Sequence, residues 1–501
     1  MRTTGEIVRG AEEARERVVT FDAVVVGTGA GGAPAAAELA AAGLSVAMLE
    51  EGDWQDADAF TASPRDMMPR LYRDGGQSVT IGDPPIVLPT GRAVGGTTLI
   101  NSGTCFRTPS RILARWRDEF GLDELTDEAL APVFDDVEAT IGVAEVPADL
   151  AGENAAIVRR GVEALGYSGG FLRRNARGCV GSGVCAFGCP AGAKQHTGVT
   201  FVPKAWAAGA VLFTGTRVRE LAVRGDRIAE VVAATSGGGT LRVRADVVVL
   251  ACGAIGTPLL LRRNGLATGS GQLGRNLSIH PASAARARMD HEVRMWEGVP
   301  QSYYVDEWAD DGIMLEGIAA PPDQAAMATP RVGPELRELM LDVGRTATFG
   351  VMVTDEGRGA IHSVRGRPVL RYDLHPEDAR RFQRGFARLA EIFFAAGARE
   401  VIVPITGVPT LTGGDIGPLE RARVRPRDLH LMAFHPLGTA RAGADPARSV
   451  VDGDLRVHGL RNLYVADGSV IPSSPGVNPQ LTIMALATRA ARRIARGRLA
   501  S

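Results

Sequence analysis

Apolar residues near the start of the chain fall into two short continuous runs separated by small residues. Phe21–Val26 and Leu44–Leu49 each predict a short buried strand. Between them, the alanine-rich stretch Ala33–Ala42 predicts a helix, which Gly43 ends. The glycine-rich stretch Gly27–Gly32 predicts a tight turn from the first strand into this helix. The pattern therefore predicts a βαβ unit at this end of the chain.

A second group of strands is predicted in the middle of the chain. Val211–Thr214 is a short apolar run that predicts one strand, and Asp246–Leu250 predicts another, buried one. Between them, alternating residues and intervening turn residues predict a three-stranded meander over Val218–Val223, Arg227–Ala234 and Thr240–Arg244.

Amphipathic stretches predict the longer helices. Ser110–Ile141 is largely helical in pattern, Pro376–Ala396 forms a clear helix, and a final helix runs from about Pro479 to Arg496. The block 283–420 otherwise contains strand-like runs such as Gly350–Thr354. Strands and helices are thus mixed along the whole chain, which predicts an α/β protein.

The composition is that of an ordinary globular protein. Of the 501 residues, 45% are hydrophobic and 23% are charged, so the chain has enough apolar material for a large core and enough length for two or three domains. The 56 basic and 57 acidic residues give a net charge of -1. This balance argues against a nucleic-acid-binding protein, which would carry a strong basic excess.

The N-terminal residues bear on location. Met1–Val19 mixes acidic and basic residues and has no apolar core, so we expect no secretory signal and a cytoplasmic protein. The long apolar stretch Ala23–Leu49 has a single charge, Glu38, and is long enough for a bilayer. It contains five glycines and matches the βαβ pattern, so we expect no transmembrane span.

The predicted turn carries a nucleotide-binding motif. The sequence from Gly27 to Gly32 fits the pattern G-x-G-x-x-G, follows a strand and opens a helix. Gly27, Gly29 and Gly32 would allow a pyrophosphate to approach the helix N-terminus closely. Glu50 ends the second strand, where an acid accepts hydrogen bonds from an adenosine ribose. The motif predicts a dinucleotide and does not separate FAD from NAD.

Further segments carry recognisable motifs, and these are Gly91–Asn101, Val247–Pro258, Gly274–Leu277 with His280–Pro281, His435–Thr439, Asn462–Ser469 and Gly476–Pro479. Together they resemble the signatures of the glucose–methanol–choline (GMC) flavin oxidoreductases, in that family's order, between residues 21 and 496. The resemblance implies the GMC fold: a Rossmann-like FAD-binding domain plus a substrate domain with an antiparallel sheet and helices.

The resemblance also implies a division of the chain. The FAD-binding domain would be discontinuous, formed by residues 18–110 with 205–282 and 440–501. Residues 111–204 would form a connecting region with a cysteine loop, and residues 283–439 would form the substrate-binding domain.

The same resemblance identifies FAD as the cofactor. We expect a non-covalent complex, because the stretch 91–107 contains no histidine for a covalent flavin link. The residues expected near FAD, besides the glycine motif and Glu50, are Gly95, Gly96, Asn101, Val218, Asp467, Gly468 and Pro479.

Three residues are candidates for catalysis. His435, in the family's catalytic-histidine segment, is the expected base, since imidazole titrates near neutral pH. Asn478 would hold the substrate hydroxyl group and also cap the helix that follows. The N-terminus of that helix, at Pro479, would stabilise negative charge on the reduced flavin. Glu316 lies in a segment, Met314–Ala319, that resembles the one carrying an active-site glutamate in cholesterol oxidases.

The resemblance implies oxidation of an alcohol to a carbonyl compound. The closest branches in appearance are long-chain alcohol oxidases and dehydrogenases and cholesterol oxidases, so an apolar or bulky alcohol (long-chain, terpenoid or steroid) is expected. A sugar or glycoside is the alternative substrate, and a lyase or isomerase that holds FAD without redox chemistry is a second alternative. Oxygen and another electron acceptor both remain open.

A cysteine loop allows two interpretations. Cys179, Ser182, Cys185 and Cys189 follow the spacing of bacterial ferredoxins with serine at the second place, so three thiolates could hold an iron–sulfur cluster. We favour structural cysteines and predict no metal. A zinc site is less favoured, because the only further ligand nearby is His196.

Overall fold

The computed structural model describes residues 6–327, 329 and 331–499. The helices are α1 (Gly32–Ala41), α2 (Pro64–Leu71), α3 (Ser110–Phe120), α4 (Asp127–Ile141), α5 (Gly152–Leu165), α6 (Phe201–Ala207), α7 (Gly253–Arg263), α8 (Pro322–Met327), α9 (Gly333–Leu341), α10 (Pro376–Ala395), α11 (Gly417–Glu420) and α12 (Gln480–Leu499).

The strands are β1 (Ile7–Arg9), β2 (Glu16–Val26), β3 (Val46–Leu49), β4 (Val143–Glu145), β5 (Gly169–Phe171), β6 (Arg173–Asn175), β7 (Val211–Thr214), β8 (Thr216–Arg224), β9 (Arg227–Thr235), β10 (Thr240–Leu250), β11 (Ala282–Arg288), β12 (Tyr303–Val305), β13 (Ile313–Gly317), β14 (Thr346–Val353), β15 (Ala360–Val364), β16 (Arg367–Arg371), β17 (Glu400–Ile402), β18 (Leu411–Thr412) and β19 (Leu463–Val465).

The first sheet is built around the predicted βαβ unit. Its order is β1-β7-β3-β2-β10-β9-β8, and β19 pairs with the far end of β10. In this sheet, strands β1, β7, β3, β2, β10 and β19 pair in parallel. Strands β9 and β8 extend the sheet beyond β10 in antiparallel pairing. Helix α1 packs on this sheet and contacts α12 and α6. The carboxyl ends of its central parallel strands therefore meet at one edge, where the glycine turn lies.

One strand prediction needs correction. Thr240–Arg244 and Asp246–Leu250 were expected as separate strands, but β10 runs unbroken from Thr240 to Leu250. Its first half pairs with β9 and is partly exposed, whereas its last residues are buried between β2 and β19. The change from an alternating to a continuous apolar pattern marks this change of surroundings, not a break in the strand.

The second sheet is antiparallel, with the order β18-β17-β11-β14-β13-β12-β5. One face packs against α10, where Phe349 and Val351 of β14 share a core with Phe382 and Phe386. The opposite face lines a large cavity. The structure thus confirms the predicted α/β fold, with a largely parallel sheet and an antiparallel one.

Residues 111–204 do not form one separate layer. Helices α3 and α4 contribute to the core of the first sheet, whereas α5 contacts α10 and β14, and β5 is the edge strand of the second sheet. We propose that this region is divided between the two halves. Among the described helices, none has both the length and the apolar character that crossing a bilayer requires.

Candidate active site

The turn after β2 brings the glycine motif to the edge of the cavity. Gly27 has a φ of 103°, and a Cβ there would lie 2.3 Å from the carbonyl oxygen of Ala251. A Cβ on Gly32 would lie 2.0 Å from the carbonyl oxygen of Gly27. At Gly29, by contrast, the nearest protein atom to a Cβ would be Cα of Gly96, at 4.0 Å. Gly29 lines the cavity, so its missing side chain leaves space for a ligand at the N-terminus of α1.

Glu50 lies at the same end of the cavity. Its carboxylate accepts hydrogen bonds from the backbone N–H of Thr28 (3.0 Å), the hydroxyl of Thr28 (2.7 Å) and the backbone N–H of Gly52 (2.9 Å). Burial raises the pKa of Glu50, and the hydrogen bonds from Thr28 and Gly52 oppose that shift. Glu50 therefore holds the turn in shape while facing the cavity, and its contact with a ribose stays a prediction.

The second glycine-rich segment lies directly against this turn. The backbone N–H of Gly95 donates to the hydroxyl of Thr28 at 3.0 Å. Asn101, at the other end of the segment, donates from Nδ2 to Oε1 of Gln480 at 2.8 Å. Gln480 is the first residue of α12, so the segment joins the glycine turn to the start of the last helix.

Asp467 connects the C-terminal signature to the end of β10. One carboxylate oxygen accepts hydrogen bonds from the backbone N–H of Gly253 (2.9 Å) and the hydroxyl of Thr257 (2.5 Å). The other accepts from the backbone N–H of Ser469 at 2.8 Å. Gly468 follows at the cavity wall. Asp467 thus fixes two chain segments that are far apart in sequence against one another.

These segments enclose one continuous cavity of about 1750 Å³. Pockets for a single drug-sized ligand are typically about 300–1,000 Å³, so this volume suits two ligands, such as an extended cofactor and a substrate. Most of the predicted cofactor-binding residues line this cavity. Gly32 and Gly95 do not line it and instead pack against the backbone of Gly27 and the ring of His196, respectively. The lining residues of this set are Gly27, Gly29, Glu50, Gly96, Asn101, Val218, Asp467, Gly468 and Pro479.

The three candidate catalytic residues meet at one end of this cavity. Nδ2 of Asn478 lies 3.3 Å from Oε2 of Glu316 and 3.5 Å from Nε2 of His435. Glu316 comes from β13 in the second sheet, whereas His435 and Asn478 come from loops near the C-terminal signature. All three line the cavity, so residues 162 positions apart in the chain share one site.

The predicted helix cap at Asn478 is wrong. Helix α12 begins at Gln480, and Oδ1 of Asn478 is buried and accepts no hydrogen bond from a described residue. The amide is turned toward Glu316 and His435 instead. The side chain of Asn478 therefore does not cap α12, and it lines the cavity instead.

Sequence patterns gave no role to His280, which contacts His435 directly. Nδ1 of His280 lies 3.1 Å from Nδ1 of His435, and the rings are perpendicular. Nε2 of His280 accepts a hydrogen bond from the backbone N–H of Gly476 at 3.0 Å. The sequence marks His280 only through the His280–Pro281 pair of the family motif. Neighbouring residues do not indicate that its partner is a histidine 155 residues away.

A buried carboxylate holds this histidine in place. His280 has a φ of 47°, in the left-handed region that side chains seldom adopt. Asp355 accepts hydrogen bonds from the backbone N–H groups of Ile279 (3.0 Å) and His280 (3.1 Å). Ser474 and Tyr372 also donate to Asp355, at 2.9 Å and 2.8 Å. Asp355 thereby fixes the unusual backbone that aims His280 at His435.

The hydrogen bonds determine where the protons lie. Burial lowers the pKa of His435 to about 4 and lowers that of His280 well below its usual range, so both rings are neutral near pH 7. Because Nε2 of His280 accepts from Gly476, its proton is on Nδ1, which donates to Nδ1 of His435. A neutral His435 therefore carries its proton on Nε2. Nδ2 of Asn478, which is also a donor, lies 3.5 Å away and makes no hydrogen bond to it, so Nε2–H is left to donate to a ligand in the cavity.

Glu316 lines the cavity, and one of its two carboxylate oxygens has no hydrogen-bond donor among the described residues. It is 5% exposed, and burial raises its pKa to about 7, while the hydrogen bond from Asn478 lowers it. Its Oε1 has no hydrogen-bond partner among the described residues. A solvent-facing strand position for Glu316 is thereby excluded. A carboxylate with a pKa near the working pH and a free oxygen is suited to accept a proton.

The cysteine loop lies beside the cavity. Cys185 accepts a hydrogen bond at Sγ from Nη2 of Arg174 (3.1 Å), and the buried ammonium of Lys194 donates to its backbone oxygen (2.7 Å). In the described part of the chain, no three His, Cys, Asp or Glu side chains are grouped so as to hold a metal ion. Burial lowers the pKa of His196 to about 3, and its Nδ1 accepts from the backbone N–H of Gly198.

Comparison with known proteins identifies the family of this chain. Two GMC oxidoreductase family models match the chain, an N-terminal one over residues 68–282 and a C-terminal one over residues 356–487. The chain belongs to the GMC oxidoreductase family. Membership supports an oxidoreductase and agrees with the fold expected from the sequence motifs.

Three relatives illustrate the range of similarity. An uncharacterised GMC-type oxidoreductase, Rv0492c of Mycobacterium tuberculosis, is 44% identical over 94% of this chain and 75% of its own. Long-chain-alcohol oxidase FAO4B of Arabidopsis thaliana is 29% identical over 94% of this chain and 66% of its own. Among solved structures, a formate oxidase mutant of Aspergillus oryzae RIB40, studied for FAD modification, superposes with a TM-score of 0.74 at 17% identity, covering 97% and 99% of the two chains.

Proposed function

We propose that this GMC oxidoreductase binds FAD non-covalently and oxidises an apolar or bulky alcohol to a carbonyl compound. The observation that carries the proposal is the convergence of His435, Asn478 and Glu316 on the cavity that the glycine turn also lines. Groups that can exchange a proton and the glycine turn thus share the wall of one cavity. The formate oxidase neighbour, whose FAD has been studied, supports the choice of cofactor.

The cavity fits FAD by the shape of its cradle. The side-chain-free surface at Gly29 would receive the pyrophosphate at the start of α1, and Glu50 would face the adenosine ribose. Asn101, Gly468 and Pro479 would lie along the flavin, with the N-terminus of α12 favouring negative charge on the reduced ring. When bound, FAD supplies the hydride acceptor for the reaction.

The chain's own residues supply the proton chemistry. Sequence motifs favour His435 as the base, whereas the tautomer imposed by His280 leaves Nε2 of His435 protonated. We therefore propose that Glu316 accepts the hydroxyl proton and that Nε2–H of His435 donates a hydrogen bond to the same oxygen. Asn478 donates to Glu316 and positions it beside the hydroxyl group. Donation from His435 stabilises the negative charge that develops on the oxygen as its proton leaves.

The surroundings of the site favour an apolar substrate. Met314, Met352 and Val477 form a buried apolar cluster, against which Phe106 and Tyr304 pack. Met352 and Glu316 both line the cavity. The similarity to a plant long-chain-alcohol oxidase supports the same substrate class.

The proposal is tested by mixing the FAD-loaded protein with a panel of alcohols without oxygen. Loss of the oxidised flavin absorbance together with aldehyde or ketone formation is the expected result, and subsequent admission of air shows whether oxygen restores the colour. A protein that folds but takes up no FAD would contradict the cofactor assignment. Bound FAD that stays oxidised while a substrate is rearranged or cleaved would indicate a lyase or isomerase.

A further inference from the structure

The cavity continues beyond the catalytic cluster across the second sheet and reaches an arginine that the proposed chemistry does not use. On β11, Ala282, Ala284 and Arg286 are partly buried and line the cavity. The alternate residues Ala285 and Ala287 point the other way, into the hydrophobic core. Arg286 therefore stands on the same sheet face as the substrate space.

The strand register fixes how far Arg286 lies from Glu316. Ala284 pairs with Gly350 of β14, and Gly350 pairs with Glu316 of β13. Arg286 is two residues farther along β11, where it pairs with Thr348. With strands about 4.8 Å apart and a rise of about 3.4 Å per residue, the Cα atoms of Arg286 and Glu316 are separated by roughly 12 Å.

Small residues cover the sheet between these two groups. Ala284 and Gly350 occupy the row that joins β11 to Glu316, and both line the cavity. Ala282, which pairs with Met352, continues this row of small residues along β11. With no large side chain on those positions, an extended molecule can lie on the sheet with one end at Glu316 and the other at Arg286.

Arg286 has no acidic partner in the described part of the chain. Its Nη2 donates to the backbone oxygen of Ala325 at 2.7 Å, and among the described residues no charged partner shifts the pKa of Arg286. Arg288, on the same face, is paired with Asp342 at 3.3 Å and with Glu400 at 3.2 Å. Burial alone lowers the pKa of Arg286 to about 10, which still leaves it charged at neutral pH. A partly buried charge without a counter-ion is unfavourable until one is supplied.

We propose that Arg286 binds a carboxylate at the far end of the substrate, so that the preferred substrate is an ω-hydroxy acid with an apolar chain. This inference rests on the proposed alcohol oxidation, and it names the substrate class. The planar guanidinium matches a carboxylate with two parallel hydrogen bonds. A single isolated cation balances one negative charge, which favours a carboxylate over a doubly charged phosphate monoester.

The test compares ω-hydroxyoctanoate with its methyl ester, with octanol and with an ω-hydroxyoctyl phosphate. We expect the wild-type holoenzyme to have a kcat/KM at least tenfold higher for the acid than for the ester. Arg286→Gln should remove that preference through a higher KM for the acid, and leave octanol oxidation nearly unchanged. Arg286→Lys should keep part of the preference, and Arg288→Gln should keep all of it.

Several outcomes would overturn the inference. An equal kcat/KM for acid and ester in the wild type would remove the carboxylate site, and a preference for the phosphate would assign another anion. An Arg286→Gln variant that still prefers the acid would place the site elsewhere. Calorimetric titration with octanoate measures binding without turnover, and wild-type binding that Arg286→Gln loses supports the site even if that variant is inactive. If neither octanol nor the acid reduces the flavin, the proposed function fails, and the octanoate titration still decides the anion site.

Discussion

Nδ1 of His280 lies 3.1 Å from Nδ1 of His435, and this contact determines which nitrogen of His435 carries its proton. The backbone N–H of Gly476 occupies Nε2 of His280, so only Nδ1 of His280 can donate to His435. His435 is left with a hydrogen-bond donor on the cavity side. Glu316, which like His435 approaches Nδ2 of Asn478, has a free acceptor oxygen and a pKa raised to about 7.

Replacement of His280 tests the tautomer assignment. His280→Phe removes the donor to His435, so we expect the rate of anaerobic flavin reduction to fall roughly 10–100-fold, the range found for residues that orient a metal-ligating histidine. KM should change little. His280→Asn can still donate and should recover part of the rate. An unchanged rate in His280→Phe, with FAD content equal to wild type, would show that His280 does not set the proton position.

The pH dependence of flavin reduction tests Glu316 as the base. Burial raises the pKa of Glu316 to about 7, so the reduction rate should increase as pH rises through 7 and then level off. Glu316→Gln should lose this limb and react about 10²–10⁴-fold more slowly while retaining FAD. His362→Ala, at an exposed position of β15, is the matched control and should behave as wild type. A limb near pH 7 that survives in Glu316→Gln would assign the base to another group.

The same shift makes a prediction about stability. The pKa of Glu316 is about 7 in the folded protein and 4.5 in the reference state, so between these values the folded chain binds more protons than the unfolded chain. The contribution of Glu316 to the free energy of unfolding is therefore fully present below pH 4.5 and is lost as pH rises through 7. Glu316→Gln does not titrate, so its melting temperature relative to wild type should increase from pH 5 to pH 8. A difference that stays constant over this range would contradict the raised pKa.

Gly29 offers a selective test of cofactor binding. A Cβ at Gly29 would meet no protein atom closer than 4.0 Å, but it would enter the cavity. Gly29→Ala should therefore fold with the melting temperature of the FAD-free wild type and bind little FAD, as measured by flavin absorbance per chain. Gly269→Ala, where a Cβ meets nothing within 4 Å, should keep its FAD. Full FAD occupancy in Gly29→Ala would place the pyrophosphate elsewhere.

Metal analysis tests the cysteine loop. Cys185 is held by hydrogen bonds from Arg174 and Lys194, and the described residues contain no three-ligand group. We expect no stoichiometric iron in the purified protein, and FAD content should be unchanged in Cys185→Ser. About three irons per chain, lost on Cys185→Ala, would show that the loop binds a cluster.

Local signals made much of the fold predictable. The βαβ unit, the meander strands and the helix from Pro376 follow from periodicity and from glycine positions, because these patterns act within one element. The continuity of β10 was missed, because its two halves have different neighbours in the sheet. Such a change of surroundings is a property of the assembled sheet.

The candidate site was predictable only where a motif marked it. His435 and Asn478 lie in recognisable segments, and the short resemblance around Glu316 pointed to a strand that does reach them. The pairing of His280 with His435 and the isolated charge of Arg286 depend on contacts between distant segments. Neither feature has a sequence signal of its own, because burial and partner geometry appear only after folding.

The most direct test of the proposed chemistry is the rate of anaerobic flavin reduction by octanol in His435→Ala, measured across pH. Loss of the donor to the reacting oxygen should slow reduction about 10²–10³-fold, while FAD remains bound and the limb near pH 7 persists because Glu316 is intact. His435→Ala that reduces its flavin at the wild-type rate would contradict the proposed site, and disappearance of the pH limb would make His435, not Glu316, the base.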